Sequence, residues 1–151
     1  MTDHEVYMQE ALRQAGMAEA AGEVPVGAVI VSDAGKMVAA SYNSPVSLND
    51  PTAHAEIRAI RQAARITGNY RLTGTTLYVT IEPCCMCAGA VVHARIKRLV
   101  FGAWDEKTGA CGSVYDVVRD SRLNHIVEVI PGIMARECSS IIREFFRKRR
   151  K

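Results

Sequence analysis

A short β-branched run, Leu77 to Ile81, is stopped by Glu82-Pro83 and followed at once by Cys84-Cys85-Met86-Cys87. This junction constrains the fold more than any other segment. The run reads as a short buried strand, and Pro83 fits the first turn of a helix, predicted from about Cys84 to Ala94. The three cysteines within four positions belong to a chain that has five. A disulfide framework would space them out, so the cluster reads as metal or redox chemistry.

The flanking elements follow from pattern and punctuation. Thr2-x-x-Glu5 has capping-box spacing. After it, Met8, Ala11, Leu12, Ala15 and Ala18 recur at helical period, and Gly22 offers a stop. Val24–Ser32 and Met37–Tyr42 form a hairpin around Asp33-Ala34-Gly35. Asn43–Pro51 is a polar loop. Thr52 caps a helix from about Ala53, with Ile57, Ile60 and Ala64 on related faces. Strands are predicted at Arg98–Ala103 and Ile126–Ile130, a short helix at Ser113–Arg119, and a last helix from Met134. A hairpin followed by alternating helices and strands predicts an α/β protein, a three-layer α/β/α sandwich around a mixed five-stranded sheet.

At 151 residues the chain is expected to be one domain, 1–151, burying about 68–70% of its unfolded surface. With 48% hydrophobic and 23% charged residues, the composition argues against disorder. The longest apolar run, Cys84 to Val92, is far short of the ~18 residues of a membrane span. The polar, acidic N-terminus lacks the basic start and apolar stretch of a signal peptide. The expected compartment is the cytoplasm. Net charge is +3, but residues 143–151 hold six basic groups and one acid, so the remainder is net acidic. The tail reads either as a solvated helix end whose cations suit the helix dipole or as a phosphate-binding strip.

His54-Ala55-Glu56 opens one predicted helix and Cys84-x-x-Cys87 opens another, thirty residues on. At i and i+3 the two cysteines share a helix face. Two thiolates and an imidazole suit zinc. Three protein ligands leave a fourth position for water, the pattern of a catalytic site. Glu56 is the candidate acid/base beside that water, not a ligand. Three alternatives stand: a redox pair, plain buried cysteines, or a structural zinc completed by Cys111, Cys138, His93 or His125. Cys85 reads as a small core residue pointing away from the ligand face, and His4 as surface.

The H-x-E and P-C-x-x-C pair resembles the signature of the zinc-dependent cytidine and nucleobase deaminases. Further segments resemble bacterial tRNA-specific adenosine deaminases. They are Glu23-Val24-Pro25-Val26-Gly27-Ala28, Asp50-Pro51-Thr52-Ala53-His54-Ala55-Glu56, Leu77-Tyr78-Val79-Thr80, Glu82-Pro83-Cys84, Phe101-Gly102-Ala103, Asp105-x-Lys107-Thr108-Gly109, Asn124-His125 and Phe145-Phe146-Arg147. The likeness spans nearly the whole chain. Cys85 and Trp104 depart from the family pattern without touching the zinc motif.

The resemblance implies a cytidine-deaminase-like fold and one zinc per chain on His54, Cys84 and Cys87, with Glu56 as acid/base. It implies deamination of adenosine to inosine at the wobble position of a tRNA anticodon, and a homodimer. It also implies that Val26 lines the base pocket, that Asn43 and the Ala55 backbone hydrogen-bond the base, and that Asp105 and Lys107 lie near flanking nucleotides. Phe145, Phe146 and Arg149 would border the anticodon stem-loop; because the two phenylalanines are consecutive, one of them is expected in the core. Two other readings compete: a deaminase of a free base or nucleotide, which has no need of the basic tail, and a non-catalytic zinc-stabilised RNA-binding module, which has no need of Glu56.

Overall fold

The computed structural model describes residues 1–150. In chain order the elements are α1 (Asp3–Ala20), β1 (Gly27–Val31), β2 (Met37–Tyr42), α2 (Pro45–Leu48), α3 (Ala55–Thr67), β3 (Thr76–Ile81), α4 (Cys85–His93), β4 (Arg98–Ala103), a 3₁₀ turn (Val117–Arg119), β5 (Glu128–Ile130) and α5 (Ala135–Arg149). The sheet order is β2-β1-β3-β4-β5. β1 runs antiparallel to both β2 and β3, whereas β3, β4 and β5 are parallel. This is the expected mixed five-stranded sheet.

Period-two alternation divides the core into two layers. Val29 and Val31 of β1, Tyr78 of β3 and Val100 of β4 pack with Met8 and Ala11 of α1 and Cys138 of α5. The alternate residues Ala28, Ile30, Leu77, Val79, Leu99 and Phe101 pack with Ala55, Ala59 and Ala63 of α3 and with Ala88, Val91 and Val92 of α4. Strands covered on both faces read as near-continuous apolar runs, which is what Leu77–Ile81 is apart from Thr80, whose side chain is also buried. α1 starts at the predicted capping box, where Thr2 and Glu5 satisfy each other's backbone N–H. It lies so close to β1 that a β-carbon on Gly27 would overlap the Ala11 carbonyl oxygen.

Several boundaries and faces differ from the sequence reading. β1 begins at Gly27, not Val24, because the Val24-Pro25-Val26 segment breaks away from the ladder at Pro25. The loop after β2 contains α2, started by Pro45 at its first turn. α3 is capped at His54, not Thr52, and its buried stripe is Ala55, Ala59 and Ala63, with Ile60 only partly covered. Small alanines let the helix approach the sheet, and the bulkier isoleucines sit at the margin. The predicted helix at Ser113–Arg119 shrinks to one 3₁₀ turn, and β5 covers only Glu128–Ile130. Cys85 is exposed, not core, because it is the first residue of α4 and faces outward. His4 is half-buried, with Nδ1 2.7 Å from the Tyr78 hydroxyl.

Candidate metal centre and its pocket

The parallel β3–α4–β4 unit meets the antiparallel β1 at β3. The carboxyl end of such a strand, where sheet direction changes, is where open α/β sheets place their sites. Because β1 runs the other way, its start lies beside the end of β3, and the Gly27 N–H donates to the Thr80 hydroxyl at 3.2 Å. The same end gathers the N-termini of α3 and α4.

His54 and Cys84 are both helix N-caps with extended backbones (ψ 155° and 177°), and Cys87 lies in the first turn of α4. Cys84 is thus just outside the helix predicted to contain it, and its extended conformation turns the side chain back over the helix start. The Nδ1 of His54 lies 3.7 Å from Cys84 Sγ and 3.4 Å from Cys87 Sγ. Tetrahedral zinc with ordinary Zn–N and Zn–S bonds separates N and S ligands by about 3.6 Å, which these distances bracket. The three ligand atoms lie within 4.8 Å of one another, and among the described residues this is the only such His/Cys/Asp/Glu group. Donor chemistry and spacing both fit one zinc ion. Cys111 and Cys138 are buried elsewhere, with Cys111 Sγ directed at the Pro83 carbonyl. His125 bonds the Ile96 carbonyl through Nε2 at 2.7 Å.

The two thiols are coupled through one hydrogen bond and respond in opposite directions. Hydrogen bonds from Cys87 and His54 pull the Cys84 thiol down to about 4. Cys87 is pushed up by the same bond to Cys84 and by burial. Glu56, the second residue of α3, is 3% exposed, and burial raises its carboxyl to about 7. His54 and Glu56 are only two positions apart. They face one site because His54 has left helical geometry while Glu56 has entered it.

These groups form the floor of a cleft of about 280 Å³, room for one flat heterocycle at the lower end of small-ligand pockets. Val24, Val26 and Ile81 supply apolar walls; Asn43, Asp105, Thr108, Ile142 and Phe146 stand around it. Val26, Asn43, Asp105 and Phe146 therefore converge with His54, Glu56 and Cys84, and Ala55 is buried between the last-named His and Glu positions in α3. Lys107 is exposed and outside this lining; its N–H donates to Asp105 Oδ1 at 3.1 Å. Phe145 is 7% exposed beneath Arg149, whose guanidinium carbon lies 4.3 Å from the ring centre. Arg149 also donates to the Gly22 carbonyl at 3.0 Å. These two residues lie on the side of α5 that faces Glu19 and Gly22 at the end of α1, and neither lines the cleft as Phe146 does.

Sequence reasoning gave no site role to Glu23, Val24, Glu82 and Thr108, which it met only inside family-like segments, nor to Ile81 and Ile142. Glu23 and Glu82 carried a signal, since each is an acid directly bordering an apolar run. Both are buried, at 3% and 2% exposure. Glu23 accepts from the Ser47 N–H and hydroxyl, both at 2.6 Å, and so secures the start of α2.

Residues 1–103 match the family model of the cytidine and deoxycytidylate deaminase zinc-binding region. The chain is 54% identical to a tRNA-specific adenosine deaminase of Haemophilus influenzae over 146 residues, covering 97% of this chain and 84% of the relative. It is 45% identical to a tRNA-specific adenosine deaminase of Bacillus subtilis, covering 100% of this chain and 93% of that one. A solved structure described as a tRNA:A34 deaminase acting at the wobble position of transfer RNA superposes with a TM-score of 0.86. It has 45% identity and covers 89% of this chain and 97% of its own.

Proposed function

The chain belongs to the family defined by the cytidine and deoxycytidylate deaminase zinc-binding region, and we propose that it converts adenosine to inosine at the wobble position of a tRNA anticodon, releasing ammonia. The observation that carries this reading is the buried Glu56 carboxyl beside a His54/Cys84/Cys87 group that fits zinc, at the bottom of a base-sized cleft. Residues 1–151 are read as one deaminase domain.

Zinc held by such a set supplies an activated water at neutral pH. Glu56 is the acid/base: it accepts a proton from the attacking water, hands it to N1 of the adenine ring, and then helps protonate the amine that leaves C6 as ammonia. A buried carboxyl with its pKa raised to about 7 can hold a proton between those transfers. Val26 packs on the base, and Asn43 with the Ala55 backbone would read its polar edge. Asp105 and Lys107 are assigned to the flanking nucleotides. Phe146, 42% exposed at the rim, offers a face on which a splayed base can stack. Phe145 and Arg149 support it from the α1 side.

The reading includes a homodimer, tested by sedimentation, and a cytoplasmic location, tested by fractionation. Among the described residues no helix is long and apolar enough to cross a membrane. The deciding experiment is ammonia release from free nucleobases, free nucleosides and an anticodon stem-loop side by side. Preference for the stem-loop is expected; equal or better turnover of a free base would give the site to the free-base reading.

A further inference from the structure

We propose that Glu82 is a positioning residue: its buried carboxylate fixes the loop 105–113 at the rim of the pocket and thereby sets affinity for the nucleotides flanking the target base. The inference deepens the tRNA deaminase reading and rests on it. Glu82 directly follows β3, two residues before Cys84, and it is 2% exposed. Its Oε1 accepts the Asp105 N–H at 3.0 Å and the Ser113 hydroxyl; its Oε2 accepts the N–H groups of Cys111 and Ser113, both at 3.0 Å. A buried charge is tolerable only when its lone pairs are so occupied, and hydrogen bonds to a carboxylate are about twice as strong as neutral ones.

The loop is folded around this one group. The Glu82 N–H donates to the Ala103 carbonyl and the Ala110 N–H to the Pro83 carbonyl, both at 2.8 Å. A β-carbon on Gly109 would overlap the Glu82 carboxyl group, so the loop closes over it only with glycine there. From Asp105 the order passes outward. Its Oδ1 accepts the Lys107 and Thr108 N–H groups at 3.1 Å, and its Oδ2 accepts the Thr108 hydroxyl at 2.7 Å. Asp105 and Thr108 are the loop residues that line the cleft. Glu82 thus links the strand that leads to a zinc ligand with the residues at the mouth.

Chemistry singles out which bond yields. In Glu82→Gln the remaining oxygen can keep Cys111 and Ser113 N–H. The amide NH₂ then faces the Ser113 hydroxyl, which can turn and accept, and the Asp105 N–H, which cannot. Asp105 is the partner that lets go.

The test compares wild type, Glu82→Gln and Gly109→Ala in steady-state deamination of an anticodon stem-loop, with zinc content and amide hydrogen exchange measured on each. KM is expected to rise about tenfold in both variants, the scale of one lost bond to a charged group. The change in kcat should be under about threefold and the zinc content unchanged. Exchange should quicken in 105–113 but not in 85–93. Should Glu82→Gln not fold, Gly109→Ala decides, since it crowds the same carboxylate from the loop side. An unchanged KM overturns the proposal. So does lost zinc with a collapsed kcat at unchanged KM, which is what a merely structural role would give. An inactive wild type removes the deaminase reading and this proposal with it, so the two failures are distinguishable.

Discussion

Phe145 and Phe146 meet edge to face, ring centres 5.3 Å apart and planes at 80°, yet they serve different sides of α5. Phe145 is buried under Arg149; Phe146 borders the cleft. Their alanine variants should therefore fail differently. Phe145→Ala removes a buried aromatic and should cost about 3–5 kcal/mol of stability. Phe146→Ala should leave the melting temperature nearly unchanged but weaken stem-loop binding by about 1–3 kcal/mol, the worth of one base–aromatic stack. Denaturation and binding titrations on both proteins decide it, and a Phe146→Ala variant that binds like wild type would remove the stacking role.

The zinc ligands can be separated from their neighbour. Cys87→Ser should lose the metal, because three ligands leave none to spare. Cys85→Ser should retain one zinc per chain, since Cys85 is exposed and outside the ligand group. Elemental analysis of both proteins is the measurement. Zinc retained by Cys87→Ser would point to a further protein ligand and a structural site.

The parts of this molecule legible in sequence are those set by local rules. The capping box at Thr2, the buried strand at Leu77–Ile81 and the H-x-E and C-x-x-C spacing all stand where expected, because each depends on a few neighbouring residues. What failed depended on tertiary distance. The choice of Ala55, Ala59 and Ala63 over the isoleucines as the α3 contact reflects how close the helix sits to the sheet. Cys85 faces solvent because α4 starts one residue later than the pattern suggested. Glu82 looked like a strand terminator, since its donors come from a loop more than twenty residues away.

Glu56→Gln tests the acid/base. Gln is nearly isosteric and Glu56 lies outside the ligand group, so fold and zinc should remain. Stability should be equal or higher, because burial already disfavours the ionised carboxylate. Positioned proton transfer contributes about 10²–10⁴-fold in rate, and turnover should fall at least that far. Near-normal turnover in the zinc-loaded variant would take Glu56 out of the mechanism.

Tyr78 should make the fold sensitive to alkali. Burial first, then the neighbouring Tyr7, push its phenol from 10.0 up to about 12; Arg98 pulls the other way, and Asp3 adds the smallest push. A phenol with a raised folded pKa contributes stability that is fully present below pH 10 and lost as pH rises through about 12. Wild type should therefore lose more stability across that window than Tyr78→Phe, which has no proton to lose. Denaturation midpoints on both sides of the window give the answer, and parallel slopes for the two proteins would contradict it.

The basic strip of α5 divides by what its cations already hold. Arg147 is paired with Glu144 at 2.8 Å, and Arg149 is committed to Phe145 and the Gly22 carbonyl. Arg143 and Arg150 line a surface hollow that shares Ile142 and Phe146 with the main cleft. A stem-loop seated with its target base in the cleft would run its backbone past that hollow. Arg143→Ala and Arg150→Ala should then each weaken stem-loop binding and reduce the slope of log affinity against log salt by about 0.7 per lost phosphate contact. Turnover at saturating substrate should change little, because neither residue is near Glu56 or the zinc ligands in the lining of the cleft. Arg149→Ala should do the reverse, lowering stability through the exposed Phe145 ring while keeping the salt slope. Binding to a free nucleoside should ignore all three changes, as it offers no phosphate. If the double variant Arg143→Ala/Arg150→Ala keeps both its affinity and its salt slope, the strip is a solvated helix end, and RNA recognition must rest on the rim of the cleft alone.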